Sequence, residues 1–241
     1  MRVLIIRPEL QAKQTAGKLA ELGHEPIIFP LFRPQHDPVQ CLDALKSNYA
    51  ALAITSAESV RCLRQLGPAL EPYLAVPLFT VGRRTARLAR DLGFTNVISA
   101  SGNGHDLAAV VAGFVAGSTN AVKPILYLAG VRRSGIFEHT LRDNDIACVT
   151  AEIYDMEPTS YTLEQQQAIL VNRAVDAAFF FSRENANAFF GLEVFQQSKE
   201  ALRKTLFFCL SRNIAEAVPE ALRNSAVVSL NPDEDELLDL L

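Results

Sequence analysis

The chain has 241 residues, 49% hydrophobic and 21% charged, enough apolar material for one large domain or two of about 100–120 residues each. Its formal net charge of −4 excludes a general nucleic-acid or anionic-membrane binder, which would carry a basic face.

Val3–Ile6 is a short unbroken apolar run, the pattern of a strand covered on both faces, and Arg7-Pro8 stops it. Ala12, Ala16, Leu19 and Ala20 then form a helical stripe that ends at Gly23, and Pro26–Pro30 reads as the next strand. Strand, helix and strand within about 30 residues is the size of a parallel crossover unit. Pro30, Pro34 and Pro38 make the following stretch a stiff, extended connector, because proline fixes φ and biases its predecessor to extended geometry. Beyond it, a helix is expected around Val39–Leu45 and a strand over Ala50–Ile54 ending in Thr55-Ser56. A helix with Val60 and Leu63 follows, then a strand Pro77–Val81 running into Gly82-Arg83-Arg84-Thr85. A helix with Ala86, Ala89 and Leu92 stops at Gly93; Val97-Ile98-Ser99 is a strand, and Leu107, Val110, Val111 and Phe114 mark a helix.

Pro124–Leu128 opens a second strand–helix–strand unit. Its strand ends in Ala129-Gly130, its helix carries Phe137 and Leu141 and stops at Asn144, and Ile146–Ile153 is the return strand. Tyr154-Asp155-Met156-Glu157-Pro158 then forms a second extended connector. After a helix near Leu163–Leu170 come strands Asp176–Phe181, ending in Ser182, and Leu206–Leu210, ending in Ser211-Arg212-Asn213. Pro219 falls within the helix due after that strand and is expected to delay or kink it. Ala226–Leu230 is the last strand. Asn231-Pro232-Asp233-Glu234 resembles an N-cap, a proline at the first helical position and an acidic first turn, opening a helix with Leu237 and Leu241 facing in.

The pattern repeats. Ala50–Val60 and Ala177–Ala188 share a layout that matches Ser56 with Ser182; Leu78–Ala86 and Leu206–Ala215 match Gly82-Arg83 with Ser211-Arg212. Val3–Pro30 likewise matches Ile125–Ala151. Because the proline-rich connectors follow each short unit, and Ser118–Pro124 reads as an ordinary surface loop, the first short unit is paired with the last long one. Two doubly wound α/β domains are expected, each with a parallel five-stranded sheet, joined by a two-stranded extended connector. One comprises residues 1–33 plus 160–241, the other residues 38–153, with connectors 30–38 and 153–160.

Doubly wound sheets bind ligands outside the carboxyl ends of their strands. Those ends offer Arg7, Thr55, Ser56, Gly82, Arg83, Thr85, Gly130, Arg132, Arg133, Ser182, Ser211, Arg212 and Asn213: hydroxyls, glycines and arginines. Helix N-termini and arginines suit a ligand with several anionic groups. Each residue also has a plain structural reading, the serines as helix caps, the glycines as turn residues, Tyr154 as a wedge and the arginines as solvated charges. Repetition of a small polar residue plus arginine in both halves favours the ligand reading, in a cleft between the domains. No nucleophile–base pair, G-x-G-x-x-G or Walker loop is present, against dehydrogenase and NTPase readings. Cys41, Cys62, Cys148 and Cys209 form no C-x-x-C pair and the histidines are scattered, so buried thiols in a reducing compartment and no metal site are expected. The N-terminal apolar core is too short for a signal peptide, and no transmembrane run is present; a cytoplasmic protein is expected.

The chain resembles the uroporphyrinogen-III synthase family over nearly its full length. The matching pieces are Val3-Leu4-Ile5-Ile6-Arg7-Pro8, Ile54-Thr55-Ser56-Ala57, Val81-Gly82-x-x-Thr85-Ala86, Leu128-Ala129-Gly130 with Arg133 and Leu141, Tyr154, and Phe181-Ser182. The resemblance implies two α/β domains and a reaction without cofactor. Hydroxymethylbilane, a linear polycarboxylate tetrapyrrole, loses its hydroxyl to give an azafulvene. The substituted carbon of ring D attacks to form a spiro intermediate, which reopens and closes with ring D inverted. The resemblance also implies that Tyr154 bonds the departing hydroxyl as a weak general acid, and a hinged monomer is expected because the connector is only two strands. One departure is Ser211-Arg212-Asn213-Ile214 where the family usually shows Gly-x-x-Thr: a side-chain contact is lost at Ile214, while backbone N–H contacts survive. The alternative is a non-catalytic two-domain protein that binds or senses a polyanionic metabolite, which would not require a tyrosine in the connector. A sugar- or nucleotide-processing transferase would show an acid or lysine at a strand end, and only Glu58 and Glu184 lie just past the strands.

Overall fold

The structure is a computed structural model, and it describes residues 1–117, 123–198 and 200–241. The surface loop expected over Ser118–Pro124 falls mostly outside the described residues. Among the described residues the elements run β1 (Arg2–Ile6), α1 (Glu9–Glu21), β2 (Glu25–Ile28), β3 (Phe32–His36), α2 (Pro38–Leu45), β4 (Ala51–Ile54), α3 (Ala57–Arg64), β5 (Leu78–Val81), α4 (Arg83–Asp91), β6 (Val97–Ala100) and α5 (Gly104–Ala116). They continue with β7 (Ile125–Gly130), α6 (Ile136–Asp143), β8 (Cys148–Pro158), α7 (Leu163–Leu170), β9 (Ala177–Phe180), α8 (Arg183–Phe190), α9 (Glu193–Gln197), β10 (Leu206–Cys209), α10 (Arg212–Ala215), β11 (Ala226–Val228) and α11 (Glu234–Leu238).

The chain divides into two units, one of residues 1–33 and 157–241, the other of residues 34–156. In the first, the sheet order is β11-β10-β9-β1-β2, with every pairing parallel. Val3 and Ile5 face one core with Phe179, Phe208 and Leu237. On the other face Phe180, Phe189, Phe190 and Phe207 pack as a ring cluster with centroids 5.2–6.3 Å apart. Burial on both faces is why these strands read as unbroken apolar runs instead of alternating ones.

In the second unit the order is β3-β8-β7-β4-β5-β6. Omitting β3, it is the first sheet's order with β8, β7, β4, β5 and β6 in place of β2, β1, β9, β10 and β11, so the sequence repeat reappears as repeated topology. The sixth strand is the first proline connector, which pairs at the sheet edge beside β8; an edge is where a strand tolerates Pro34. Leu126, Leu128, Ala151 and Ile153 face one core of this unit, and Ile125, Tyr127, Ala129 and Phe137 face the other.

Several local expectations shift. Asn144 is the C-cap of α6, and the positive φ falls one residue later, on Asp145 at 56°. The cap of α11 is Asp233, which accepts from the backbone N–H groups of Asp235 and Glu236. Asn231 instead ties to Glu236 through its amide. Pro219 ends α10 early: that helix is four residues long, and a 3-10 turn over Glu220–Ser225 replaces its continuation.

Candidate functional site

Residues 34–156 hold a pocket of about 300 Å³ at the carboxyl ends of β4, β5 and β7, lined by Thr55, Tyr127, Gly130, Arg132, Arg133, Glu138 and Tyr154 among others. A β-bulge builds it. Ala129 pairs with Glu152, but Gly130 pairs with Tyr154, so Ile153 is the extra residue. The strand's alternation breaks there, and Ile153 and Tyr154 both turn toward the same core. Bulges of this kind re-aim one side chain at the end of a ladder. Val131 N–H donates to the Tyr154 carbonyl at 2.9 Å and fixes the offset.

Gly130 is required by that placement. A Cβ built on it lies 2.6 Å from Tyr154 Cζ and 2.8 Å from its Oη. Burial pushes the Tyr154 phenol above its ordinary value of 10; Glu58 and Asp155 push the same way, while contact with the Ser56 hydroxyl and the charge of Arg133 oppose it. The phenol therefore keeps its proton at neutral pH and acts as a donor. Ser56 is the N-cap of α3 and accepts from Glu58 N–H at 3.1 Å. Glu58 is buried between Arg61 and His36, whose Nε2 lies 3.1 Å from it, and the His36 ring meets Tyr154 edge-on at 6.3 Å.

Arg133 is held at the pocket by carboxylates. Its Nε donates to Glu138 at 2.5 Å, and its Nη1 to Glu152 and to the Gly130 carbonyl, each at 2.8 Å. Bonds to Glu152 and Glu138 raise its pKa further, so it is a fixed cation that shapes the wall. Arg132 is more open, with Nε 3.6 Å from Asp155. At α4 the N-cap is Gly82, with φ 78° and no side-chain cap, so the first N–H groups of this nine-residue helix are not satisfied by a cap side chain. Arg83 there is exposed with no ion pair among the described residues, and Thr85 is buried within the first turn.

The remaining candidates lie in the unit of the chain ends. Ser182 caps α8, accepting from Asn185 N–H and from its side-chain amide. Ser211 begins α10 with no side-chain cap, Arg212 is exposed, and Asn213 accepts from Arg183 at 2.7 Å. Ile214 is buried, so the position of the family threonine serves the core. Arg7 has a structural role: 8% exposed, its guanidinium lies 3.9 Å over the Phe181 ring and donates to Thr15 and Glu234. Sequence reasoning missed Tyr127, Glu138 and Asn103 at the pocket. Asn103 is the N-cap of α5 and Glu138 lies in the first turn of α6, while Tyr127 is hidden inside the apolar run Ile125–Ala129.

The fold and pocket define a two-unit parallel α/β protein whose strand ends present hydroxyl donors and arginines. The family described as uroporphyrinogen-III synthase HemD matches residues 13–239. The crystal structure of uroporphyrinogen-III synthetase from Helicobacter pylori superposes with a TM-score of 0.64 at 17% identity, covering 100% of this chain and 98% of that one. A mutant uroporphyrinogen III synthase from the extremely thermophilic bacterium Thermus thermophilus gives 0.58 at 18% identity, covering 100% and 96%. At such identity these structures show the fold. No curated protein matches by sequence. The chain belongs to the uroporphyrinogen-III synthase family and is a cyclising lyase of tetrapyrrole biosynthesis. No described helix is long and apolar enough to cross a membrane.

Proposed function

We propose that this chain cyclises hydroxymethylbilane to uroporphyrinogen III with Tyr154 as the hydrogen-bond donor to the departing hydroxyl. The observation that carries this reading is the bulge that seats the Tyr154 ring on Gly130, with its half-buried, protonated phenol beside Thr55, Tyr127 and Arg132. Loss of hydroxide from the bilane leaves a cationic azafulvene. The pyrrole nitrogen lone pair drives that step, and a neutral donor assists it by bonding to the oxygen as negative charge grows there. The ring-D steps are then carbon–carbon bond making and breaking within a held substrate, which asks the protein for orientation more than for acid–base chemistry.

The uncapped N-terminus of α4, Arg83 and Arg132 take substrate carboxylates in this reading; in the other unit, Ser182, Ser211, Arg212 and Asn213 offer further polar contacts. Arg133 shapes the pocket through Glu138 and Glu152. The reaction needs no metal or cofactor, and the chain works as a monomer in the cytoplasm. Cys41, Cys62 and Cys209, all buried free thiols, fit a reducing compartment. The test is to incubate purified, EDTA-treated protein with freshly generated hydroxymethylbilane and separate the type I and type III isomers. Type III product is expected. Type I alone, or activity restored only by added metal, contradicts the reading, and light scattering checks the monomer.

A further inference from the structure

The floor of the pocket holds a hydroxyl pair in which one group sets the direction of the other. Tyr127 lies within β7, 2% exposed, and its Oη is 2.7 Å from Thr55 Oγ1 at the end of β4. Either oxygen is able to donate in isolation. The surroundings decide between them. Burial pushes the Tyr127 phenol up to about 12, and the nearby Glu138 carboxylate adds to this, so the phenol holds its proton. Among the described residues Thr55 Oγ1 is the phenol's one hydrogen-bond partner; Glu138 Oε2, buried nearby, bonds nothing. A buried O–H left without an acceptor is costly, so the Tyr127 proton goes to Thr55.

That assignment has a consequence for Thr55. Its oxygen accepts the phenol's hydrogen bond, and its own O–H has no acceptor among the described residues. Thr55 is only half-buried and lines the same pocket as Tyr154. We propose that Tyr127 is a positioning residue: it holds the Thr55 hydroxyl as an outward donor to a substrate oxygen, beside the donor supplied by Tyr154. The ring of Tyr127 packs edge-on against Phe137 at 4.9 Å, which fixes the phenol independently of any ligand. Such preorganisation spares the site from turning a hydroxyl at the moment of reaction.

This inference rests on the proposed reading of the pocket and is tested through coupling rather than through activity alone. Tyr127→Phe, Thr55→Val and the double variant are compared for type III product formation, with Thr55→Ser as the conservative control and thermal melting of each variant as the check on folding. Tyr127→Phe is expected to lower kcat/KM about fivefold to tenfold, the worth of one hydrogen bond of about 1–1.4 kcal/mol. Added to Thr55→Val, it is expected to cost nothing further, because its effect passes through the threonine hydroxyl. Thr55→Ser is expected to recover most of what Thr55→Val loses. Additive losses, parent activity in Tyr127→Phe, or a serine no better than valine overturns the inference. If Tyr154→Phe keeps parent activity while the Tyr127–Thr55 pair still couples, the catalytic assignment of Tyr154 falls and this inference stands.

Discussion

Tyr154 and Gly130 make one device, and each predicts the other's behaviour. In Tyr154→Phe the ring still packs on Gly130 and only the phenol oxygen is lost. Type III formation is expected to fall roughly tenfold to hundredfold, the worth of one hydrogen bond to a charged or charging group, about 1.5–3 kcal/mol. The melting temperature is expected to change little, and the spontaneous type I isomer to appear beside type III; a variant at the parent rate makes Tyr154 a structural wedge. In Gly130→Ala the new methyl lies within 2.8 Å of the phenol oxygen, so the ring must move. That variant is expected to lose at least as much activity as Tyr154→Phe while its far-ultraviolet circular dichroism stays that of the parent. Full activity in the alanine variant shows that the observed ring position is not the working one. Tyr154 and Gly130 were legible in sequence as strand-end residues, but their contact was not, because it depends on a one-residue bulge that no pattern of apolar residues marks. Tyr127 was illegible for a related reason. A strand buried on both faces hides one hydroxyl among its apolar neighbours, and its partner Thr55 lies 72 positions away.

Elements show the same division between what local pattern fixes and what tertiary contact decides. The strands and the serine-capped helices α3 and α8 follow from apolar runs, a capping hydroxyl and helical stripes, all local features. The short helix α11 is signalled locally as well, by the cap pattern Asn231-Pro232-Asp233-Glu234, but that pattern alone does not hold it. Five residues cannot hold a helix in water on their own. It is held by the burial of Leu237 and Leu238, by the Asp233 cap, by Lys18 on Asp235 at 2.5 Å, and by Arg7 on Glu234 at 2.8 Å. Burial alone would push Glu234 up, but Arg7, Thr15 and Lys18 outweigh it and hold the carboxyl below its ordinary value of 4.5. A carboxyl whose folded pKa is depressed contributes stability that is present above the unfolded value and lost as pH falls through the folded one. Glu234→Gln is therefore expected to destabilise the protein at neutral pH by about 1–2 kcal/mol, as the buried Arg7 guanidinium loses its charged contact with Glu234. The gap between parent and variant melting temperatures should close as pH falls below 4.5. A gap that stays constant down to strongly acid pH would show that the carboxylate's charge is not what holds the helix.

For the whole molecule, the division of the chain makes the two units unequal as folding problems. Residues 32–158 contain every strand of the six-stranded sheet and both cores that cover it. Residues 157–241 carry β9, β10 and β11, but the strand that pairs with β9 on its other side is β1, from the far end of the sequence. Without residues 1–33, β9 becomes an exposed edge with unpaired backbone groups, and Phe179 loses Val3 and Ile5 from its core. Expressed alone, residues 32–158 are expected to melt cooperatively and to show the near-ultraviolet signal of packed aromatic side chains. Residues 157–241 alone are expected to bind the dye ANS and to aggregate, and adding a peptide of residues 1–33 should restore a cooperative transition by supplying β1, α1 and β2. The sign follows from sheet order, since residues 157–241 lack two of the five strands of their sheet whereas residues 32–158 lack none of their six. A cooperative melt from residues 157–241 by themselves, or an unfolded fragment 32–158, would show that the stability of each unit is not contained in its own sheet and cores.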